Sequence, residues 1–200
     1  NDSIRNGSQK MTRVVVTGMG ILSANAHGLE NFKQALWDGV SGIRFYEELK
    51  ELGFSCQVGG MPQGVDELKK EYFSSEALLA MNSSMLYAGI AAIDCWKDAG
   101  FEVDPEGKTD WDTGAIIGTG IGGVDTLGEK VIPRVNAGKV RRLGSTAVEQ
   151  TMASAVSACV GGLLGLGGQV TSNSSACTTG TEAVVDAFLQ IKEGLSLIHI

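Results

Sequence analysis

Three times along the chain, a short segment with the character of a strand ends in a cluster of glycine or other small residues and leads into a pattern typical of a helix. Two of these segments, residues 14–16 and 115–117, are apolar, and the third is residues 169–174. Apolar, β-branched runs that end in a turn predict strands buried on both faces of a sheet. Strands that alternate with helices predict an α/β fold, in which helices cover the faces of a sheet.

Apolar periodicity and small terminal residues predict the helices between these strands. They are expected at residues 29–37, 75–99, 125–135, 147–164 and 181–192. The first is expected to turn Phe32, Leu36 and Trp37 inward, and the last to turn inward Ala183, Val184, Ala187, Phe188 and Ile191. Residues 41–73 mix glycines with short apolar pieces, which predicts loops and short strands. Residues 1–11 are polar and predict a disordered leader.

Composition excludes several functional classes. The chain carries 23 acidic and 16 basic side chains, a net charge of -7, which is the wrong sign for binding nucleic acid or an anionic membrane surface. No apolar stretch reaches the length of a membrane helix. The four cysteines have no C-x-x-C spacing and no nearby histidine, so no metal site is expected. These features predict a cytoplasmic protein in a reducing compartment.

Residues 118–123 satisfy the G-x-G-x-x-G pattern between a predicted strand and a predicted helix. An NAD(P)-dependent oxidoreductase is therefore an alternative function. Such a site also needs an acidic residue about 20 residues further on, where this chain instead has Lys139, Arg141 and Arg142. Glycines that allow close helix packing or line a substrate channel are the favoured interpretation.

Cys177 is the strongest candidate for a catalytic residue. It lies between a predicted strand and the first turn of a predicted helix, where unpaired N–H groups and the helix dipole favour a thiolate. Its own backbone N–H is placed to stabilise an oxyanion. The neighbouring residues are small and leave room for a substrate carbonyl: Ser174, Ser175, Ala176, Thr178, Thr179 and Gly180. Cys56, Cys95 and Cys159 lack this context and are predicted to be structural.

The remaining ionisable candidates are few. A Cys–His dyad between Cys177 and His27 is possible but not favoured, and His199 is the penultimate residue. Basic residues concentrate at Lys130, Arg134, Lys139, Arg141 and Arg142, in an otherwise acidic protein. Solvated surface charges are the default interpretation, and a docking face for an acidic partner is the functional one.

Several motifs together resemble the β-ketoacyl-acyl-carrier-protein synthases, of the thiolase-like superfamily, and most nearly the elongating type II enzymes. The resemblance covers about residues 12–194. It is carried by residues 13–23 (RVVVTGMGILS), 37–43 (WDGVSGI), 88–100, 117–123 (IGTGIGG) and 175–180 (SACTTG). It implies a thiolase-like layered fold, with helices on a mixed sheet, of which this chain is the amino-terminal half.

The resemblance also implies a function. Cys177 would accept an acyl chain from the phosphopantetheine of an acyl carrier protein, and a malonyl-type extender would then condense with it after decarboxylation. No bound cofactor is expected. Gly118, Gly120, Thr178 and Thr179 would line the substrate site, and the full-length protein would be a homodimer. Cys177 argues against a non-catalytic partner subunit, which remains a second alternative.

Three departures from the family pattern shape the expectations. Family members are about twice as long, and their catalytic histidines, a lysine and a second oxyanion donor follow residue 200, so this chain is expected to be inactive in condensation by itself. Residues 195–200 (LSLIHI) lose the resemblance and predict a truncated or artificial terminus, in which His199 has no role. Residues 76–81 lack the basic residue of many relatives, which raises interest in Lys139, Arg141 and Arg142 for carrier docking.

Overall fold

The computed structural model describes residues 12–104 and 107–200, so the predicted leader at residues 1–11 lies outside the described residues. The α-helices in these ranges are α1 (Leu29–Trp37), α2 (Glu47–Glu51), α3 (Val65–Tyr72), α4 (Ser75–Ala80), α5 (Ser83–Asp98), α6 (Ile132–Asn136), α7 (Thr146–Thr151), α8 (Ala155–Leu164) and α9 (Thr179–Lys192). The strands are β1 (Arg44–Phe45), β2 (Val58–Gly59), β3 (Thr113–Ile116), β4 (Val170–Thr171) and β5 (Ile198–His199). A π-helical turn covers Thr126–Val131, and 3₁₀ turns cover Val140–Arg142 and Ala176–Thr178.

A three-stranded parallel sheet in the order β4-β3-β5 lies at the centre of the fold. Ala115 of β3 pairs with Val170 of β4, and Thr113 pairs with Ile198 of β5. All four residues of β3 are buried, because α8 and α9 both pack against it. The α/β prediction is confirmed. The short strands β1 and β2 form a separate antiparallel pair within the region predicted to hold loops and short strands.

The hydrophobic core lies between α5, α8 and β3. Ile90 of α5 and Val160 of α8 are fully buried, and Trp96 packs into the same cluster. Gly89 lets the neighbouring side chains approach α5 closely, since a Cβ there would lie 2.9 Å from the Phe73 ring. This packing holds β3 in place, and the glycine-rich loop follows its carboxyl end.

The predicted first strand, residues 14–16, does not form. Val15 and Val16 are 61% and 79% exposed, so the prediction of a strand buried on both faces is wrong. One edge of β3 is instead paired with β5. The Ile200 N–H donates to the Gly114 carbonyl oxygen (3.0 Å), and the Ile116 N–H donates to the Ile200 carbonyl oxygen (2.8 Å). The segment instead packs through Gly20, where a Cβ would lie 1.9 Å from the Ala91 carbonyl oxygen of α5.

Two predicted helices are each divided in the structure. The helix expected at residues 75–99 breaks at Asn82, whose side chain accepts a hydrogen bond from the Met85 N–H (2.8 Å) and caps α5. The Asn82 amide also donates to the Gln150 carbonyl oxygen (2.6 Å). The helix expected at residues 147–164 breaks between α7 and α8. Asn side chains compete for backbone hydrogen bonds and favour helix starts, so Asn82 could have indicated this helix boundary from the sequence.

The inward faces predicted for α1 and α9 are wrong in part. Leu36 and Trp37 are 60% and 76% exposed, and Val184 and Phe188 are 68% and 42% exposed. On α9 the buried residue is Thr179, at the first position of the helix. An apolar helical stripe predicts that something covers it, and within the described residues nothing covers this part of α9.

Residues 195–200, which are predicted to be a truncated or artificial terminus, pair with the sheet through β5. The two ring nitrogens of His199 are buried and make no hydrogen bond within the described residues. Desolvation lowers the pKa of His199, so the ring is held neutral. In the part of the chain that the structure describes, no helix has both the length and the apolarity to span a membrane.

Candidate active site

Cys177 lies where the chain reverses from the sheet into a helix. The chain leaves β4, makes the 3₁₀ turn Ala176–Thr178 and enters α9 at Thr179. Cys177 is exposed at this turn. Ala176, the residue before it, has a φ of 51°, the one positive φ of a non-glycine residue in the described ranges. A left-handed alanine costs about 1–2 kcal/mol and persists where the surroundings hold it.

Thr179 supplies the main restraint on this turn. Its side chain is buried, and its hydroxyl oxygen accepts a hydrogen bond from the Ser175 N–H (2.7 Å). The Thr178 N–H and hydroxyl both donate to the Ser175 carbonyl oxygen, at 3.2 and 2.8 Å. The Asn173 side-chain amide donates to the Thr179 carbonyl oxygen (2.9 Å). The residues on both sides of Cys177 are therefore bonded to each other, which leaves the cysteine at the tip.

The glycine-rich loop after β3 lies against this turn. The Thr119 N–H donates to the Asn173 carbonyl oxygen (3.3 Å). A Cβ at Gly118 would lie 1.7 Å from the Thr179 Cγ2, so only glycine allows this approach. Gly120 has open space where a Cβ would be, and its carbonyl oxygen is 3.5 Å from the Ser174 hydroxyl. The structure thus brings Gly118, Gly120, Thr178 and Thr179 to the turn that carries Cys177.

The far end of the same loop is fixed on α7. A Cβ at Gly123 would lie 2.1 Å from the Gln150 carbonyl oxygen, and one at Gly122 would lie 2.7 Å from the Met152 carbonyl oxygen. Gln150 is itself buried and donates to the Leu79 and Met81 carbonyl oxygens, at 3.3 and 3.4 Å. These contacts favour the interpretation that the glycines serve close packing.

Asp125 occupies the helix start that a dinucleotide phosphate would need. Its carboxylate accepts hydrogen bonds from the Thr126 N–H (2.8 Å), and from the N–H (2.8 Å) and hydroxyl (2.6 Å) of Ser83. Burial alone would raise the pKa of Asp125, but the hydrogen bonds from Ser83 and Thr126 outweigh it and hold that pKa below its usual range. Because a carboxylate repels phosphate, the NAD(P) alternative loses its support.

Glu182 is a residue that sequence reasoning missed. Its carboxylate accepts hydrogen bonds from the Ser175 hydroxyl and from the Thr178 hydroxyl (3.3 Å). These two donors lie on either side of Cys177. The signal was present in the sequence, because Glu182 follows Thr178 by four residues on a helix and such residues are neighbours on its surface.

The other three cysteines differ in their surroundings. Burial raises the pKa of the Cys159 thiol to about 11. Burial and the charge of Asp98 also raise the pKa of Cys95. Cys56 is exposed, with its Sγ 3.7 Å from the Val58 carbonyl oxygen. Cys56 therefore provides a natural reference for the reactivity of an exposed thiol.

Neither histidine bonds to Cys177. The His27 Nε2 lies 2.8 Å from an Asp94 carboxylate oxygen and 3.2 Å from the Tyr72 hydroxyl, which itself donates to Asp94 (2.7 Å). This network joins His27, which lies just before α1, to α3 and α5. The Cys–His dyad that the sequence left open is therefore absent from the described residues. No group of metal-binding side chains is found in those residues either.

The basic cluster divides into two parts. The Lys130 ammonium donates to the Thr146 hydroxyl (3.1 Å) and the Gln150 side-chain oxygen (3.0 Å), so it fixes α7. Lys139, Arg141 and Arg142 are exposed on and beside the 3₁₀ turn Val140–Arg142. Within the described ranges, none of the three forms an ion pair.

Comparison with known proteins identifies the family. Residues 11–198 match the model of the beta-ketoacyl synthase N-terminal domain. The chain belongs to the beta-ketoacyl synthase family. It is 32% identical over 192 residues to 3-oxoacyl-[acyl-carrier-protein] synthase 1 of Buchnera aphidicola from Schizaphis graminum, an alignment that covers 92% of this chain and 44% of that protein. This ketosynthase chain thus spans under half the length of the curated relatives it matches.

Solved ketosynthases share its fold. A β-ketoacyl synthase from Burkholderia phymatum superimposes with a TM-score of 0.76 at 24% identity, over 93% of this chain and 45% of that one. AntDE, a type II polyketide ketosynthase solved with its acyl-carrier protein AntF and a hexaketide, gives a TM-score of 0.75 at 21% identity, over 94% and 44% of the two chains. The predicted thiolase-like fold is confirmed, and the chain is the amino-terminal half of it.

The surroundings of the four thiols predict an order of reactivity. At pH 8, iodoacetamide should alkylate Cys177 and Cys56 at least about tenfold faster than Cys159, since only about one thiol in a thousand is ionised when the pKa lies three units above the pH. The Cys159 rate should rise about tenfold per pH unit up to pH 11. Peptide mass spectrometry of partly alkylated protein measures all four rates at once. Equal rates at the four sites would contradict the burial that the structure shows.

Proposed function

We propose that this chain provides the nucleophilic half of a β-ketoacyl-acyl-carrier-protein synthase, with Cys177 as the residue that carries the acyl chain. The observation that supports this most is the exposed sulfur at a strained strand-to-helix turn, held from both sides by Thr179 and its neighbours. Strained, restrained turns of this kind concentrate at functional sites. Family membership supplies the reaction type, and the turn supplies the residue.

In the proposed first step, the Cys177 thiolate attacks the carbonyl carbon of an acyl thioester on phosphopantetheine. The carbonyl oxygen becomes an oxyanion, for which the Cys177 backbone N–H is the donor that this chain offers. The oxyanion then re-forms the carbonyl, the carbon–sulfur bond to phosphopantetheine breaks, and the released thiolate takes up a proton. Gly120, where a Cβ would meet open space, leaves room for the acyl chain, whereas Gly118 lets its loop pack closely against Thr179.

In the proposed second step, a malonyl-type thioester loses carbon dioxide, and the resulting carbanion attacks the acyl group on Cys177. A carbon–carbon bond forms, and the Cys177 thiolate leaves. The family resemblance assigns the histidines, the lysine and a second oxyanion donor of this step to sequence beyond residue 200. The 200-residue chain is therefore proposed to accept an acyl group without completing the condensation.

The proposed partner is an acyl carrier protein, which brings the acyl chain on its own phosphopantetheine, so that the enzyme needs no bound cofactor. Support comes from the family and from AntDE, which was solved with its carrier protein. We also propose a homodimer in the full-length protein, since Val184, Val185 and Phe188 of α9 are left exposed here. A cytoplasmic location, in fatty-acid or polyketide synthesis, fits this partner.

Acyl transfer gives a direct test. Incubation with a neutral acyl-acyl-carrier protein should add one acyl mass to the chain, located on Cys177 by peptide mass spectrometry. Cys177→Ala should abolish the adduct, whereas Cys56→Ala should leave it unchanged. Addition of malonyl-acyl-carrier protein should give no β-ketoacyl product. An adduct that survives Cys177→Ala, or that is absent from the unaltered chain, would remove Cys177 as the acyl carrier.

Carrier docking is proposed for Lys139, Arg141 and Arg142, which are exposed and lack ion-pair partners in the described part of the chain. Since charged surfaces raise the association rate of oppositely charged proteins, Arg141→Glu with Arg142→Glu should weaken carrier-protein binding about tenfold at low salt. Lys50→Glu with Lys108→Glu makes the same change in net charge at exposed sites elsewhere and serves as the control. Equal affinities of the two variants in a titration would reject this docking site.

A further inference from the structure

Glu182 is the first acidic or basic residue after Cys177 in the sequence, and it follows directly on one of the two segments that form the candidate site. Residues 117–124 and 173–181 contain no acidic or basic residue, and Cys177 is their one ionisable group. Glu182 follows directly, in the first turn of α9, and its carboxylate bonds to the hydroxyls of Ser175 and Thr178. Both residues are within two positions of Cys177, so the negative charge is bonded to the turn that carries the sulfur.

We propose that the Glu182 carboxylate determines which electrophiles react with Cys177, by disfavouring those that carry a negative charge. Its application to acyl donors rests on the proposed function. There, a neutral acyl thioester would load Cys177 readily, while a malonyl-type thioester, which brings a carboxylate of its own, would be repelled. The chain would thereby keep the extender from occupying the position meant for the acyl group.

The geometry keeps the charge in place. The Ser175 hydroxyl donates to the carboxylate, and the Thr178 hydroxyl, which shares its one proton with the Ser175 carbonyl oxygen, lies 3.3 Å from it. Both residues belong to the turn that carries the sulfur, so the charge moves with the site. Thr178 adjoins Cys177 and consecutive Cα atoms are 3.8 Å apart, which places the carboxylate about 12 Å from the sulfur or nearer. The start of α9 would otherwise attract anions, and an acidic residue in its first turn offsets that attraction.

The expected size of the effect follows from the exposure of the site. Two unit charges about 8–12 Å apart in a medium between water and a protein surface change a rate by about two- to fivefold. The Debye length is about 8 Å at physiological salt, and salt at about 1 M shortens it to about 3 Å. A charge effect should therefore disappear in concentrated salt, whereas a purely structural effect of Glu182 should not.

Competing alkylation measures this directly in the 200-residue chain. Iodoacetamide is neutral and iodoacetate is anionic, and both react by displacement of iodide as the new carbon–sulfur bond forms. The readout is the ratio of the iodoacetate rate to the iodoacetamide rate at Cys177, with exposed Cys56 as the internal reference. Glu182→Gln should raise this ratio about two- to fivefold at low salt and leave it unchanged in 1 M salt.

Two further variants separate charge from structure. Glu182→Asp keeps the charge and should keep the ratio within a factor of about two of the unaltered chain. Asp186→Asn removes an exposed charge one turn further along α9 and should leave the ratio nearly unchanged. A ratio that Glu182→Gln leaves unchanged, or that rises equally at low and high salt, would overturn the proposal.

Acyl loading distinguishes failure of this proposal from failure of the proposed function. With malonyl- and neutral acyl-carrier protein in competition, Glu182→Gln should raise malonyl labelling of Cys177 relative to acyl labelling. If neither donor labels Cys177 in any variant, the proposed function fails, and the alkylation ratio still decides whether Glu182 selects by charge. Labelling that stays equally selective in Glu182→Gln would contradict the proposal.

Discussion

The hydrogen bond from the Ser175 N–H to the Thr179 hydroxyl holds the candidate site together. It closes the turn around Cys177 and keeps Ala176 in a left-handed conformation that alanine rarely adopts. Thr179 can make this bond because it is buried at the first position of α9, directly against Gly118. The position of the sulfur thus depends on a contact between two loops that follow neighbouring strands of one parallel sheet.

Much of the fold could be predicted from sequence because it depends on local patterns. The helix at Leu29–Trp37 and the strands near residues 115 and 170 lie where apolar runs and glycines place them. The first strand could not be predicted correctly, because its pairing depends on which segment takes the edge of β3. That edge is paired with β5, which lies far from β3 in the sequence.

The same distinction applies to the site. The position of Cys177 at a strand-to-helix turn could be read from the small residues around it, and the nearness of Gly118 followed from two strands that end at one edge of the sheet. The restraint that Thr179 places on the turn was not predicted, because it depends on a hydrogen bond across the turn, and the contacts of Glu182 were missed although its spacing from Thr178 indicated them. The exposure of Cys56 was missed, because an isolated cysteine carries little information about its burial.

The exposed apolar residues of α9 are consistent with the share of the relatives that this chain covers. The first turn of α9 is fixed by buried Thr179 and by the sheet, while Val184 and Phe188 are exposed. In the relatives, more than half of the sequence lies outside the matched region. The turn that carries Cys177 is complete within this chain, so its geometry can be tested here.

The most direct test replaces the acceptor that closes the turn. Thr179→Val keeps the volume of the side chain and removes its hydroxyl, and Thr181→Val makes the same change at an exposed position of α9. The measurement is the iodoacetamide rate of Cys177 divided by that of Cys56 in the same sample. The account predicts that Thr179→Val changes this quotient by about fivefold or more, toward the value of an unrestrained thiol, and that Thr181→Val does not. A quotient that is the same in both variants and the unaltered chain would show that the turn does not control Cys177.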